Sequence, residues 1–223
     1  GNNSCGGRSI RYGMMRDNVL EIEAILSDGS IYNFGKLDPS NTLRSKELAP
    51  KIISHLIKLA NENEKEILSK FPKVLRRVGG YNIDALLSDA MATRPNGKIG
   101  DGINLSHLLV GSEGTLAYSS SIKLKLSPLP SKKIMGICHF PSFYEAMDAA
   151  QHIVPLEPVA VELVDDTMIQ LARKIEIFKP TVEAVVRGNP KSLLLVEFAE
   201  EDMDENHRRL KNLNKLMKDL GYS

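Results

Sequence analysis

The chain has 223 residues, 42% hydrophobic and 26% charged, with a formal net charge of +1. This is the make-up of a soluble globular chain, long enough for one large domain or two small ones. The near-neutral balance, and the absence of Trp and of aromatic–basic interleaving, argue against a nucleic-acid platform or a generic pull toward an anionic membrane.

The chain opens on a glycine-rich segment, GNNSCGGRSIRYG (Gly1–Gly13). Val19–Leu26 then alternates apolar and acidic residues, which predicts a half-buried strand. Ser27-Asp28-Gly29-Ser30 supplies turn chemistry, and Ile31–Phe34 predicts the returning strand of a hairpin. Ser40–Ser45 is a polar loop. Ala49–Phe71 carries apolar residues at helical spacing, interrupted by the polar Asn61–Lys65, so either two helices or one long exposed helix is expected. Pro72 helps to end it. Ser88–Asn104, rich in Gly, Asn and Asp, reads as an exposed insertion.

A second glycine-rich segment follows the apolar run Leu108–Val110, within HLLVGSEGTLA (His107–Ala117). Thr115–Leu126 predicts a strand with Ile122, Leu124 and Leu126 alternating. Ser127-Pro128-Leu129-Pro130 is the best candidate boundary, because two prolines break a ladder and stiffen a link. Beyond it, strands are expected over Ile134–Phe140, Ala160–Val164 and Ser192–Phe198. Helices are expected over Ser142–Ile153, with Phe143, Ala146 and Ala150 on one face, over Asp166–Arg173 and over Asp204–Leu220. Strands and helices alternating in this way predict a βαβ-type α+β layer.

The two glycine-rich segments carry the chemistry. Small residues beside polar ones let backbone approach a ligand closely, with N–H groups free to bind phosphate. Neither follows the spacing of the common dinucleotide fingerprint or the P-loop, so a cofactor held lengthwise between two loops is the expectation. The candidate ligand-binding residues are Asn2, Asn3, Ser4, Cys5, Gly6 and Gly7 in the first loop, and Gly111, Ser112, Glu113 and Gly114 in the second. A tight turn leading into a strand is the alternative for the first loop. Glu113 either accepts from a ribose or ring N–H or stabilises its own loop. Arg8, Arg11 and Tyr12 are anion-binding candidates or surface residues. Arg76 and Arg77, before Gly79-Gly80, form either a clamp for a substrate carboxylate or a solvated basic turn.

Cys5 and Cys138 are far apart, so a reducing, cytoplasmic setting is the simpler expectation. Cys5, with no His or paired Cys beside it, reads as a small packing residue. His55, His107, His139, His152 and His207 are scattered, and no metal site is expected. His107, nearest the second loop, reads as loop-ordering. Glu162, Asp165 and Asp166 are accounted for as caps of the helix that follows.

GNNSCGGRSIRYG, VLEIEAILSDGS, RRVGGYNIDALL and HLLVGSEGTLAYSSSIKLKLSPLP together resemble the FAD-linked oxidases acting on D-2-hydroxy acids. That group includes glycolate oxidase, D-lactate dehydrogenase and D-2-hydroxyglutarate dehydrogenase subunits. The likeness is strongest to the large bacterial members that fuse a flavin module to an iron–sulfur module. It continues through CHFPSFYEAMDAAQHIV and PVAVELVDDTMIQLAR, so it covers nearly the whole chain. The resemblance implies an α+β fold: the second lobe of a vanillyl-alcohol-oxidase-type FAD-binding domain (Gly1–Pro130), then part of a ferredoxin-like substrate domain (Ser131–Ser223).

It also implies FAD as cofactor, with Asn2–Gly7 along the pyrophosphate and flavin ring and Gly111–Gly114 approaching from the other loop. The implied partners are a small 2-hydroxy acid and an electron acceptor, with an iron–sulfur module of the same polypeptide as one candidate. The parent enzyme is cytoplasmic or membrane-peripheral by the same likeness. Ala117 stands where many members have Gly. The expectation is an enzyme piece whose catalytic base and metal ligands lie outside these residues, binding FAD weakly or not at all by itself and not turning over. The alternatives are a non-catalytic α+β ligand-binding or interaction module, and a small flavin reductase-like protein complete in itself.

Overall fold

A computed structural model describes residues 1–38, 47–74, 76–87 and 102–222. In chain order the elements begin with helical turns α1 (Ser9–Tyr12) and α2 (Met15–Asn18), strands β1 (Val19–Ile25) and β2 (Ile31–Phe34), and helices α3 (Leu48–Glu62) and α4 (Glu64–Lys70). Next come the turn α5 (Ser106–Leu109), strands β3 (Tyr118–Leu124) and β4 (Ile134–Phe140), helix α6 (Phe143–Ile153) and strand β5 (Ala160–Asp165). The chain finishes with α7 (Asp166–Lys174), α8 (Lys179–Val185), β6 (Ser192–Phe198) and α9 (Met203–Asp219). Two compact units result: Gly1–Gly6 with Gly13–Ser127, and Gly7–Tyr12 with Pro128–Ser223.

In the first unit, β1 lies between β2 and β3, antiparallel to both. The hairpin turns where Gly29 takes φ +82°, a conformation costly for residues with a Cβ. Val19, Ile22 and Ala24 of β1 and Phe34 of β2 enter a core with Ile53 and Ala60 of α3, Ile67 of α4, and Leu105, Leu108, Leu109 and Val110. The long apolar segment resolves into two helices parted at Asn63. The run before the second glycine segment forms a buried helical turn, α5.

Strand β3 is shorter than the expected Thr115–Leu126, and its alternation does not point into the core: Ile122 and Leu124 are 47% and 45% exposed. As an edge strand it is held by ladder hydrogen bonds to β1 rather than by burial. The expected loop Ser40–Ser45 and most of the expected insertion, 88–101, lie outside the described residues.

In the second unit β6 is central, antiparallel to β4 on one side and β5 on the other. β4 and β5 therefore run parallel with β6 between them, the order of a split βαβ unit. Phe140, Leu194, Val196 and Phe198 pack with Ala146, Ala149 and Ile153 of α6 and with Leu213 and Met217 of α9. Ala146 and Ala150 of the expected face of α6 thus pack on this core, whereas Phe143, at the first helical position, is 53% exposed. Ser142 caps this helix, its Oγ accepting from Glu145 N–H at 3.2 Å, and Asp165 caps α7 by accepting from Met168 N–H at 2.8 Å.

Segment Gly7–Tyr12 joins the second unit through ion pairs. Arg8 reaches both carboxylate oxygens of Glu197, at 3.0 and 3.2 Å, and Arg11 pairs with Glu200. Among the described residues, no helix is long and apolar enough to cross a membrane.

Candidate functional site

Three segments of the first unit converge: the opening loop, the turn after Arg76-Arg77, and the loop at Gly111. Asn3 is buried beneath the opening loop. Its Oδ1 accepts from Arg16 N–H at 3.0 Å, and its Nδ2 donates to the Arg77 carbonyl at 3.3 Å. The Gly1 carbonyl accepts from the N–H groups of both Gly111 and Glu113, each at 3.0 Å, while the Ser4 carbonyl accepts from Met15 N–H at 3.2 Å. The loop's backbone thus enters these contacts through carbonyls. The N–H groups of Asn2, Ser4, Cys5 and Gly6 have no protein acceptor among the described residues.

The second loop differs. Gly111 and Glu113 N–H are held by Gly1, Ser112 N–H donates to the Leu109 carbonyl at 3.2 Å, and Thr115 N–H to the Ser112 carbonyl at 3.0 Å. Of the four expected residues, Gly111, Ser112 and Glu113 therefore have their N–H groups taken, because the turn closes on itself and on Gly1, whereas Gly114 N–H has no protein acceptor among the described residues. Gly111 is required as glycine: at φ +93° a Cβ would lie 3.3 Å from the Gly80 carbonyl oxygen. Gly114 also has positive φ, with open space around it, and Glu113 holds the left-handed conformation at φ 52°. Ser112 is buried and its hydroxyl donates to the Leu109 carbonyl at 2.8 Å. The Thr115 hydroxyl donates to the Ser112 carbonyl at 2.6 Å, so in its 2.9 Å contact with Tyr81 the tyrosine is the donor.

Arg77 is engaged rather than free. Its guanidinium meets Asp84 at 2.6 Å and Asn82 Oδ1 at 3.2 Å, and lies 4.6 Å from the centre of the Phe71 ring. Arg76 is exposed on the same turn. Gly7 departs from its expected companions: it belongs to the second unit, where a Cβ would run into the Glu162 carboxylate. Cys5 is half-buried. His107 is buried, and its carbonyl accepts from the Asn82 side chain at 3.1 Å.

Two residues absent from the sequence-based candidates hold this convergence. Asn82 is buried and makes hydrogen bonds at both ends of its carboxamide. Arg16 is buried under the loops, donating to Asn82 Oδ1 at 2.9 Å and lying 3.9 Å from Asp84. Burial pulls its guanidinium below the ordinary arginine value, with Asp84 and Asp17 opposing. The only sequence signal for Asn82 was a carboxamide near the head of the largely apolar YNIDALL; Arg16, in MMRDNV, carried none. In the second unit a cavity of about 320 Å³ lies between β4 and α9, lined by Gly136, Cys138, Leu213 and Met217 among others. None of the candidate residues lines it.

Residues 129–223 match the family model of the FAD linked oxidases, C-terminal domain. The D-2-hydroxyglutarate dehydrogenase of Pantoea ananatis is 30% identical over 217 residues, covering 93% of this chain and 20% of that protein. In residues 129–223 the chain carries the C-terminal domain of the FAD-linked oxidase family. Among other relatives, D-2-hydroxyglutarate dehydrogenase of Escherichia coli is 28% identical over 88% of the chain and 19% of its own length. D-lactate dehydrogenase of Archaeoglobus fulgidus is 25% identical over 78% of the chain and 26% of its own length. The chain thus spans about a fifth of the length of the matched D-2-hydroxyglutarate dehydrogenases. A solved alkyldihydroxyacetonephosphate synthase shares the fold, with a TM-score of 0.53 at 15% identity, over 99% of this chain and 31% of that one.

Proposed function

We propose that this chain supplies part of the flavin site and part of the substrate domain of an FAD-dependent enzyme. The reaction is oxidation of a D-2-hydroxy acid, of lactate, glycolate or 2-hydroxyglutarate type, to the 2-oxo acid. The carrying observation is the set of N–H groups on Asn2, Ser4, Cys5 and Gly6, without an acceptor among the described residues and held from beneath by Asn3. Such a row of donors suits an anionic pyrophosphate. Where a Cβ would stand on Gly6 the space is open to 4 Å, so a ligand can approach its backbone closely.

In this reading the first unit is the second lobe of a vanillyl-alcohol-oxidase-type FAD domain, and the second unit begins a ferredoxin-like substrate domain. Asn2–Gly6 hold the pyrophosphate, while Gly111 and Glu113 brace that loop by donating their N–H groups to the Gly1 carbonyl. When bound, FAD supplies the two-electron acceptor for the alcohol carbon. Arg77 positions the turn through Asp84 and Phe71, and Arg76, exposed on the same turn, is the second candidate for the substrate carboxylate. An iron–sulfur module is the candidate onward electron acceptor.

Amide NMR on the full chain tests this, because it reads weak as well as tight binding. FAD added into the millimolar range should shift the Asn2, Ser4, Cys5 and Gly6 amides together and saturably. Shifts confined to other parts of the chain, or none, would discard the reading.

A further inference from the structure

The glycine segments account for how close a ligand can come, but not for what keeps the loops in register. That task falls on one side chain. Asn82 Oδ1 accepts from Arg16 Nη1 at 2.9 Å and from Arg77 Nη2 at 3.2 Å. Asn82 Nδ2 donates to the carbonyls of His107 at 3.1 Å and Val110 at 2.8 Å. Two acceptor and two donor positions are the full capacity of a carboxamide. The residue is 2% exposed, so each lost partner would leave a buried polar group unsatisfied.

These bonds close a ring. From Asn82 one arm runs through Arg16, whose N–H donates to Asn3 of the opening loop. The other arm runs through Val110 to Gly111, whose N–H returns to Gly1 of the same loop. We propose that Asn82 is the positioning residue of the cofactor site: its donor end holds the Gly111–Gly114 loop, and its acceptor end holds Arg16 and Arg77 beneath the opening loop. The inference rests on the flavin reading for what the site binds. The ring itself can be measured without flavin.

Asn82→Asp is the informative variant. It preserves size and the contacts to both arginines, yet removes both Nδ2 donors and turns an oxygen toward the His107 and Val110 carbonyls. Amide exchange at Gly111 and Glu113 should then quicken by about tenfold or more, with β1–β3 protection retained. The FAD concentration needed to shift the Asn2–Gly6 amides should rise about tenfold, the size expected for losing one such buried contact.

Unchanged exchange at Gly111 and Glu113 overturns the proposal whatever FAD does. Faster exchange with an unchanged FAD response overturns the positioning role. A wild-type chain that ignores FAD removes the flavin reading alone, and exchange still judges the ring. If Asn82→Asp loses β1–β3 protection, Gly111→Ala decides the matter from the opposite side. Its Cβ would lie 3.3 Å from the Gly80 carbonyl oxygen and 3.7 Å from Asn82 Nδ2. The same paired changes support the proposal, and their absence overturns it.

Discussion

Cys138 lies on β4 with its thiol in the core of the second unit, and burial pushes that thiol from an ordinary 9.0 up to about 11. Desolvation favours the neutral form. Below pH 9 both folded and unfolded chains keep the proton. As pH rises from 9 to 11, only the unfolded chain releases it, so stability falls across that window by at most about 2–3 kcal/mol. Urea unfolding of wild type and Cys138→Ala at pH 8 and pH 10.5 checks this. The wild type should lose the greater stability between the two pH values, and equal losses would show that another group is responsible. At this scale the sequence was least legible. Asn3 stood out within its glycine segment, whereas Arg16 became structural only through burial beside Asn82 and Asp84, which are distant in sequence.

At the scale of elements, legibility followed the strength of the pattern. Ile134–Phe140 and Ser192–Phe198 are strands with the expected bounds because each is a mainly apolar run ended by turn chemistry. The four-residue turns α1, α2 and α5 are too short for any helical period to register. Strand β3 carried the alternation of a half-buried strand, yet as an edge strand its apolar side chains stay exposed.

Glycine within a strand weakens it unless something approaches closely, and Gly136 in β4 meets that condition. A Cβ there would lie 2.5 Å from Leu213 Cδ2 and 3.0 Å from Leu210 Cδ1, both on α9. Leu213 is 2% exposed and can yield only into the cavity that it lines beside Gly136. Gly136→Ala should therefore destabilise the second unit by about 1–3 kcal/mol through overpacking. Adding Leu213→Ala should cost less in this background than in wild type. A Gly136→Ala variant as stable as wild type in urea would mean that α9 does not pack tightly on β4.

At the scale of the molecule, the backbone passes from one compact unit to the other at Gly6/Gly7, Tyr12/Gly13 and Ser127/Pro128. The last crossing falls in the proline-containing segment that marked a boundary in the sequence. The first two had no local signal, because ion pairs to residues nearly two hundred positions away assign Gly7–Tyr12 to the second unit. Arg8 is 45% exposed but its partner Glu197 only 12%; Arg11 and Glu200 are 30% and 21% exposed. Partly screened pairs of this kind contribute roughly 1 kcal/mol each at most. Changing both arginines to Gln should therefore weaken the second unit modestly, by about 1–2 kcal/mol. High salt should narrow the difference from wild type, because the pairs are partly open to solvent. The measurement is amide exchange by strand. Protection should fall in β6, which carries Glu197, and stay unchanged in β1, whose ladder involves neither arginine. Equal loss in β1 and β6 would mean that the segment stabilises both units alike, and no loss in β6 would mean that the ion pairs do not hold it.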